Sequence, residues 1–166
     1  MTRLWTLRES VTVHASAEAV YAAVTDLRNM ARWSPECIGI RRLGGGPVAE
    51  GARFLGFNRK GPFVWFTDCR VTVARASQEF AFHVGAFGLP VASWGYLIEP
   101  DGPDAVRVTE YWEDLRTGRG SRLTDLLGRV FSGTRPADRA GVNRAGMRAT
   151  LGRLRTAVES TQAARG

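Results

Sequence analysis

The sequence predicts an α+β fold: an antiparallel sheet of seven strands, two short helices near the N-terminus, and a long C-terminal helix across the sheet. Three observations carry this. Between residues 37 and 114 the chain runs through alternating polar and apolar segments joined by short turns, the pattern of an antiparallel meander. Near the C-terminus Met147, Leu151, Leu154 and Val158 recur at spacings of four, three and four, which is the apolar stripe of a helix. A chain of 166 residues has the size of one domain that buries about two-thirds of its unfolded surface, so residues 1–166 are read as one unit.

Each element has its own local reason. Residues 5–13, "WTLRESVTV", alternate as a first strand. "ASAEAVYAAVTDL" reads as a helix with Ser16 as N-cap and Val20, Val24 and Leu27 on one face. "RNMARW" suggests a second, short helix that Pro35 stops, because proline cannot continue the hydrogen-bond ladder and restricts Ser34 before it. A strand around 37–43 ends at Gly44-Gly45-Gly46-Pro47. Further strands are expected at 52–59, 64–74, 78–85, 91–99 and 105–114. Gly61-Pro62, Ala76-Ser77, Gly88 to Pro90 and Pro100 to Asp104 separate them. "SRLTDLLGRVF" could form a short helix, residues 116–136 read as a mobile segment, and Pro136 suits the first turn of the terminal helix.

Charge is unevenly placed. Residues 1–115 carry 12 basic and 13 acidic side chains, whereas residues 116–166 carry 11 arginines against Asp125, Asp138 and Glu159. Such asymmetry could serve a membrane surface or a partner. No zinc-finger spacing, phosphate loop or RNA-binding aromatic motif accompanies it, so nucleic acid is not an expected partner. Cys37 and Cys69 offer neither a metal spacing nor a disulfide framework, and His14 and His83 are scattered. No metal or cofactor is expected. No apolar run approaches a membrane span and no leader pattern opens the chain, which makes a cytoplasmic protein the default expectation. Assembly is left open between monomer and homodimer.

Strand alternation assigns an inward face. Trp65, Thr67, Cys69, Val71 and Val73 share one face of their strand, with Asp68 and Arg70 pointing the other way. Phe80, Phe82 and Val84 follow on the next strand, then Trp94, Tyr96 and Ile98, then Val106, Val108, Glu110 and Trp112. On 52–59 the choice lies between Phe54, Gly56 and Asn58 and the set holding Leu55 and Phe57. An inward face this aromatic, with Glu110, Thr67 and Asn58 on it, has two readings. It is a packed core whose carboxylate reaches water near an edge, or it walls a cavity in which a few polar groups orient an apolar ligand.

In order along the chain, "VTVHASAEAVYAAVTDLRNMARWSP", "GARFLGFNRKGPFVWFTDCRVTVARASQEFAFHVG", "ASWGYLIEP...VRVTEYWE" and "NRAGMRATLGRLRTAVE" resemble the START-like superfamily, in its polyketide cyclase/dehydrase-type SRPBCC branch. The resemblance covers roughly residues 8–160. It implies a helix-grip fold, in which an antiparallel sheet wraps a long C-terminal helix around an internal hydrophobic cavity. It favours the cavity reading and places Trp33 near the cavity mouth or wall. The implied ligand-binding set is Trp33, Asn58, Trp65, Thr67, Cys69, Phe80, Phe82, Trp94, Tyr96, Trp112, Met147 and Leu151.

Such families include ring-forming enzymes, ligand carriers and proteins without known role. Enzymatic members present an arginine into the pocket from the strand after the central turn, whereas "WFTDCR" sends Arg70 outward here. Glu110 is then the candidate catalytic acid or base, with Thr67 and Asn58 positioning a carbonyl or water. Cys69 reads as a small buried hydrophobe rather than a nucleophile. Three functions stay open. The first is binding of a hydrophobic small molecule, lipid or polyketide-like; the second is a cyclase or dehydratase in the same cavity. The third is a basic surface, through the terminal arginines, that docks on a membrane or partner.

Overall fold

The computed structural model describes residues 6–116 and 136–165. Its elements are β1 (Thr6–Val13), α1 (Ala17–Thr25), α2 (Arg28–Trp33), β2 (Cys37–Leu43), β3 (Arg53–Lys60), β4 (Phe63–Arg75), β5 (Glu79–Ala86), β6 (Leu89–Pro100), β7 (Val106–Asp114) and α3 (Pro136–Ala163). The expected short helix at 121–131, and all of the expected mobile segment except its end residues Arg116 and Pro136, lie outside the described residues.

The seven strands form one sheet in the order β1-β7-β6-β5-β4-β3-β2, every neighbouring pair antiparallel. From β2 to β7 this is the expected meander. β1 leaves the sequence order and pairs with β7, Thr6 opposite Glu113 and Val13 opposite Val106. Chain reversals use residues with positive φ: Gly61 in the β3–β4 turn, and Phe87 (φ +53°) with Gly88 (φ +76°) in the β5–β6 turn. An aromatic residue in the left-handed region is uncommon, since its Cβ crowds the backbone there.

Ser16 caps α1 as its position predicts, its hydroxyl accepting from the Ala19 amide at 3.1 Å. α2 ends where Pro35 requires, with the Ser34 amide bonded back to the Met30 carbonyl. α3 is the expected long helix, and its two halves cover different things. Leu151, Leu154 and Val158 are buried in the main core with Val20 and Val24 of α1, Phe80 of β5 and Val108 of β7. Met147 joins a second cluster with Leu7, Ala92 and Trp112.

One register differs from simple alternation. A bulge between Val71 and Val73 inserts an extra residue in β4. Past it Ala74, not Val73, stands opposite Phe80 and packs on the core.

Four of the five arginines of α3 are used within the protein. Arg144 and Arg148 both pair with Glu9 of β1, at 3.2 and 3.0 Å. Arg139 donates to both carboxylate oxygens of Glu36, and Arg153 donates to the Trp33 carbonyl at 2.9 Å. These contacts fasten the helix at both edges of the sheet. Among the described residues no helix is long and apolar enough to cross a membrane.

Candidate functional site

A cavity of about 780 Å³ lies between the inner face of the sheet and the first half of α3. Period-two alternation supplies its strand walls: Phe54, Gly56 and Asn58 from β3, Trp65, Thr67 and Cys69 from β4, Phe82 and Val84 from β5, Trp94 and Tyr96 from β6, Glu110 and Trp112 from β7. The helix contributes Asn143, Gly146, Met147 and Thr150. Ala145 and Gly146 add little side-chain volume on this half of the helix, whereas Leu151 and Leu154 are packed in the core on the other half.

Glu110 sits in the wall, 4% exposed. Tyr96 is directly across from it on β6, and the Tyr96 hydroxyl donates to Glu110 Oε1 at 3.2 Å. Oε2 is buried with no hydrogen-bond partner among the described residues. Burial pushes the Glu110 carboxyl up to about 8, against a smaller downward pull from the Tyr96 hydrogen bond. At neutral pH the group is therefore mostly the neutral acid, with Oε2 available to carry the proton. The Tyr96 hydroxyl is itself pushed well above the ordinary tyrosine range, by burial first and then by the Glu110 charge.

Further polar groups border the cavity, among them Asn143, Arg116 and Arg139. Asn143 is buried and its Nδ2 lacks a partner among the described residues. Arg116 is buried and held by Asp114, Nε and Nη2 donating to the two carboxylate oxygens at 2.9 and 2.8 Å. Arg139, paired with Glu36, closes the side nearest α2.

The sequence-based site is thus placed as follows. Asn58, Trp65, Thr67, Cys69, Phe82, Trp94, Tyr96, Glu110, Trp112 and Met147 border the cavity. Trp33, Phe80 and Leu151 do not; all three lie in the main core. At the α2 end the wall consists of Met30, Ser34 and Pro35, because Trp33 turns inward beneath them. Phe80 is completely buried below the cavity floor, and Leu151 faces the filled half of the helix interface.

Cys69 behaves as a wall residue: burial pushes its thiol up to about 12, which removes the thiolate a nucleophile needs. Arg70 points outward, as alternation predicts, and is exposed. Arginine nonetheless reaches the cavity, from positions 59, 116 and 139. Arg116 continues the same-face series 106, 108, 110, 112, 114 past the end of β7, and Arg139 and Asn143 extend the helical stripe backwards from Met147 in steps of four. Among the described residues no group of three His, Cys, Asp or Glu side chains could hold a metal ion.

No curated protein matches the sequence significantly. Solved structures do. The di-domain ARO/CYC BexL from the BE-7585A biosynthetic pathway is 20% identical with a TM-score of 0.63; 94% of this chain aligns, spanning 47% of BexL, so the chain corresponds to about half its length. The aromatase/cyclase Zhui from Streptomyces sp. R1128 is 15% identical with a TM-score of 0.68, over 93% of both chains. The Polyketide_cyc-like protein Cgl2372 from Corynebacterium glutamicum is 25% identical with a TM-score of 0.55, over 95% of this chain and 93% of its own. The first two likenesses, at such identities, concern the helix-grip fold alone. Residues 5–159 also match the family described as "Polyketide cyclase / dehydrase and lipid transport", and with nearly its whole length matched the chain belongs to that family.

Proposed function

We propose that the protein binds an apolar small molecule, lipid or polyketide-like, that carries a hydrogen-bonding oxygen. The observation behind this is the combination of an aromatic-walled cavity of about 780 Å³ with two buried polar atoms that have no partner among the described residues, Glu110 Oε2 and Asn143 Nδ2. The volume falls within the range of small-molecule sites. A carboxylic acid and an amide N–H are both donors, so their complement is a carbonyl or hydroxyl oxygen. A buried donor without an acceptor costs roughly 1–3 kcal/mol, which a ligand oxygen would return.

Mass spectrometry of the protein under native conditions tests this directly, as does uptake of an apolar fluorescent probe. Micromolar affinity, about −8 kcal/mol, is expected. Gly146 borders the cavity, and a Cβ there meets no atom within 4 Å. Gly146→Phe should therefore fold normally, gain helix propensity and lower probe affinity by roughly tenfold, about 1.4 kcal/mol. A protein that takes up neither probe nor lipid extract refutes the reading.

A second reading, a cyclase or dehydratase in the same cavity, is supported by the placement of Glu110. An acid that titrates near neutrality suits proton transfer. In a dehydration Glu110 would protonate the departing hydroxyl, and its carboxylate would accept the α-proton as the double bond forms. Glu110→Gln would then lower turnover about 10²-fold or more while binding is retained. Turnover that survives the substitution assigns the chemistry elsewhere.

A further inference from the structure

The outer face of β2, β3 and β4 has no element packed on it among the described residues, and its composition is unusual for a solvated surface. Phe57 and Phe66 stand directly opposite each other on β3 and β4, 37% and 51% exposed, and Val64, opposite Arg59, is 58% exposed. At the tip of the β3–β4 hairpin Phe63, the first residue of β4, is 40% exposed on the opposite face, and Phe87 contacts Phe66 edge-on at 6.1 Å. The apolar strip is thus continuous from one hairpin to the next.

Its border is cationic. Arg41, Arg53, Arg59 and Arg70 are exposed on this same face, whereas Asp68 is its acid. Arg53 and Arg70 are cross-strand partners, like charges placed opposite each other. Such a pair opposes folding, so its presence calls for an anionic partner from outside. Val64 and Phe66 also border the cavity, which brings the apolar strip to the ligand's door.

We propose that this face and the β3–β4 hairpin tip dock on an anionic lipid surface, with Phe57, Val64 and Phe66 of the face and Phe63 of the tip entering the headgroup–acyl boundary and the four arginines held by lipid phosphates. Exposed aromatics next to arginines match that boundary on both counts: apolar area is buried while guanidinium groups meet charge. An acidic protein would satisfy the arginines but has no specific need of a protruding apolar turn. Docking here would let an apolar ligand pass between bilayer and cavity with little exposure to water.

The test is co-sedimentation of the full chain with vesicles of phosphatidylcholine alone or mixed equally with phosphatidylglycerol. Binding is expected to the mixed vesicles, to be weak on phosphatidylcholine alone, and to decline with added salt. Two variants locate the surface without touching the cavity lining. Phe57→Asp with Phe63→Asp removes apolar contact. Arg53→Glu reverses a charge while creating an ion pair with Arg70, so the fold should be retained. Each should weaken vesicle binding roughly tenfold or more, with unchanged circular dichroism and probe uptake. Absence of binding to mixed vesicles, equal binding by the variants, or loss of a concentration-dependent dimer in Phe57→Asp/Phe63→Asp without loss of vesicle binding would each overturn the proposal.

Discussion

Unfolding free energy measured by denaturant titration is expected to fall as pH rises from about 5 to about 8, and Glu110→Gln should abolish most of that fall. Below the ordinary carboxyl value of 4.5 both folded and unfolded states hold the Glu110 proton. Between 4.5 and about 8 the unfolded chain releases it and the folded protein retains it, so rising pH favours unfolding. Above that range both states are ionised and the loss is complete. The total is on the order of 5 kcal/mol, at about 1.4 kcal/mol per pH unit. Other shifted groups act elsewhere. Asp26 and Asp101 lie below their ordinary values, held down chiefly by hydrogen bonds from Arg28 and Thr12 respectively, so they stabilise above pH 4 and lose that contribution in acid. Gln keeps an oxygen for the Tyr96 hydroxyl and carries no titrating proton. A variant that retains the wild-type slope would show that Glu110 is already ionised in the folded protein.

Gly95→Ala should be among the most destabilising single-methyl additions possible in the sheet. Gly95 and Tyr111 are cross-strand partners, and a Cβ on residue 95 would lie 2.2 Å from the Tyr111 Cζ. The ring cannot easily retreat. Its hydroxyl donates to Glu79 Oε1 at 2.8 Å, Glu79 is further held by Arg75, and the Arg8 guanidinium sits 5.8 Å from the ring centre. Overpacking of this kind costs about 3 kcal/mol. In a Tyr111→Ala background the same methyl should cost under about 1 kcal/mol, and the double-mutant cycle isolates the ring contact. Equal cost in both backgrounds would mean that the sheet, rather than the tyrosine, rejects the side chain.

Much of this architecture is legible because the responsible signals are periodic and local. Alternation from β3 to β7 and the stripe from Met147 to Val158 state which face of each element is inward. They do not state how far along that face a residue lies. Phe80 and Leu151 share faces with Phe82 and Met147, yet the first pair is buried in the core and the second borders the cavity. That distinction depends on where α3 approaches the sheet, which is a tertiary fact. Arg116, Arg139 and Asn143 obey the same periods as their neighbours, but an apolar template passes over them because they are polar. The bulge at Val71–Val73 leaves no mark in composition, and from there the face assignment changes for Ala74. The β1–β7 pairing is invisible locally, since nothing in "TLRESVTV" names a partner near residue 110.

That pairing also sets an order of events at the ribosome. β1 is the first strand to be made, and its partner residues, from Glu113 back to Val106, follow about a hundred residues later. At synthesis rates of about 5–20 residues per second, the strand waits roughly 5–20 s for its neighbour. The pattern of β1 suits that interval: Thr6, Arg8, Ser10 and Thr12 break every apolar run in it, so the waiting strand offers other nascent chains no continuous hydrophobic edge.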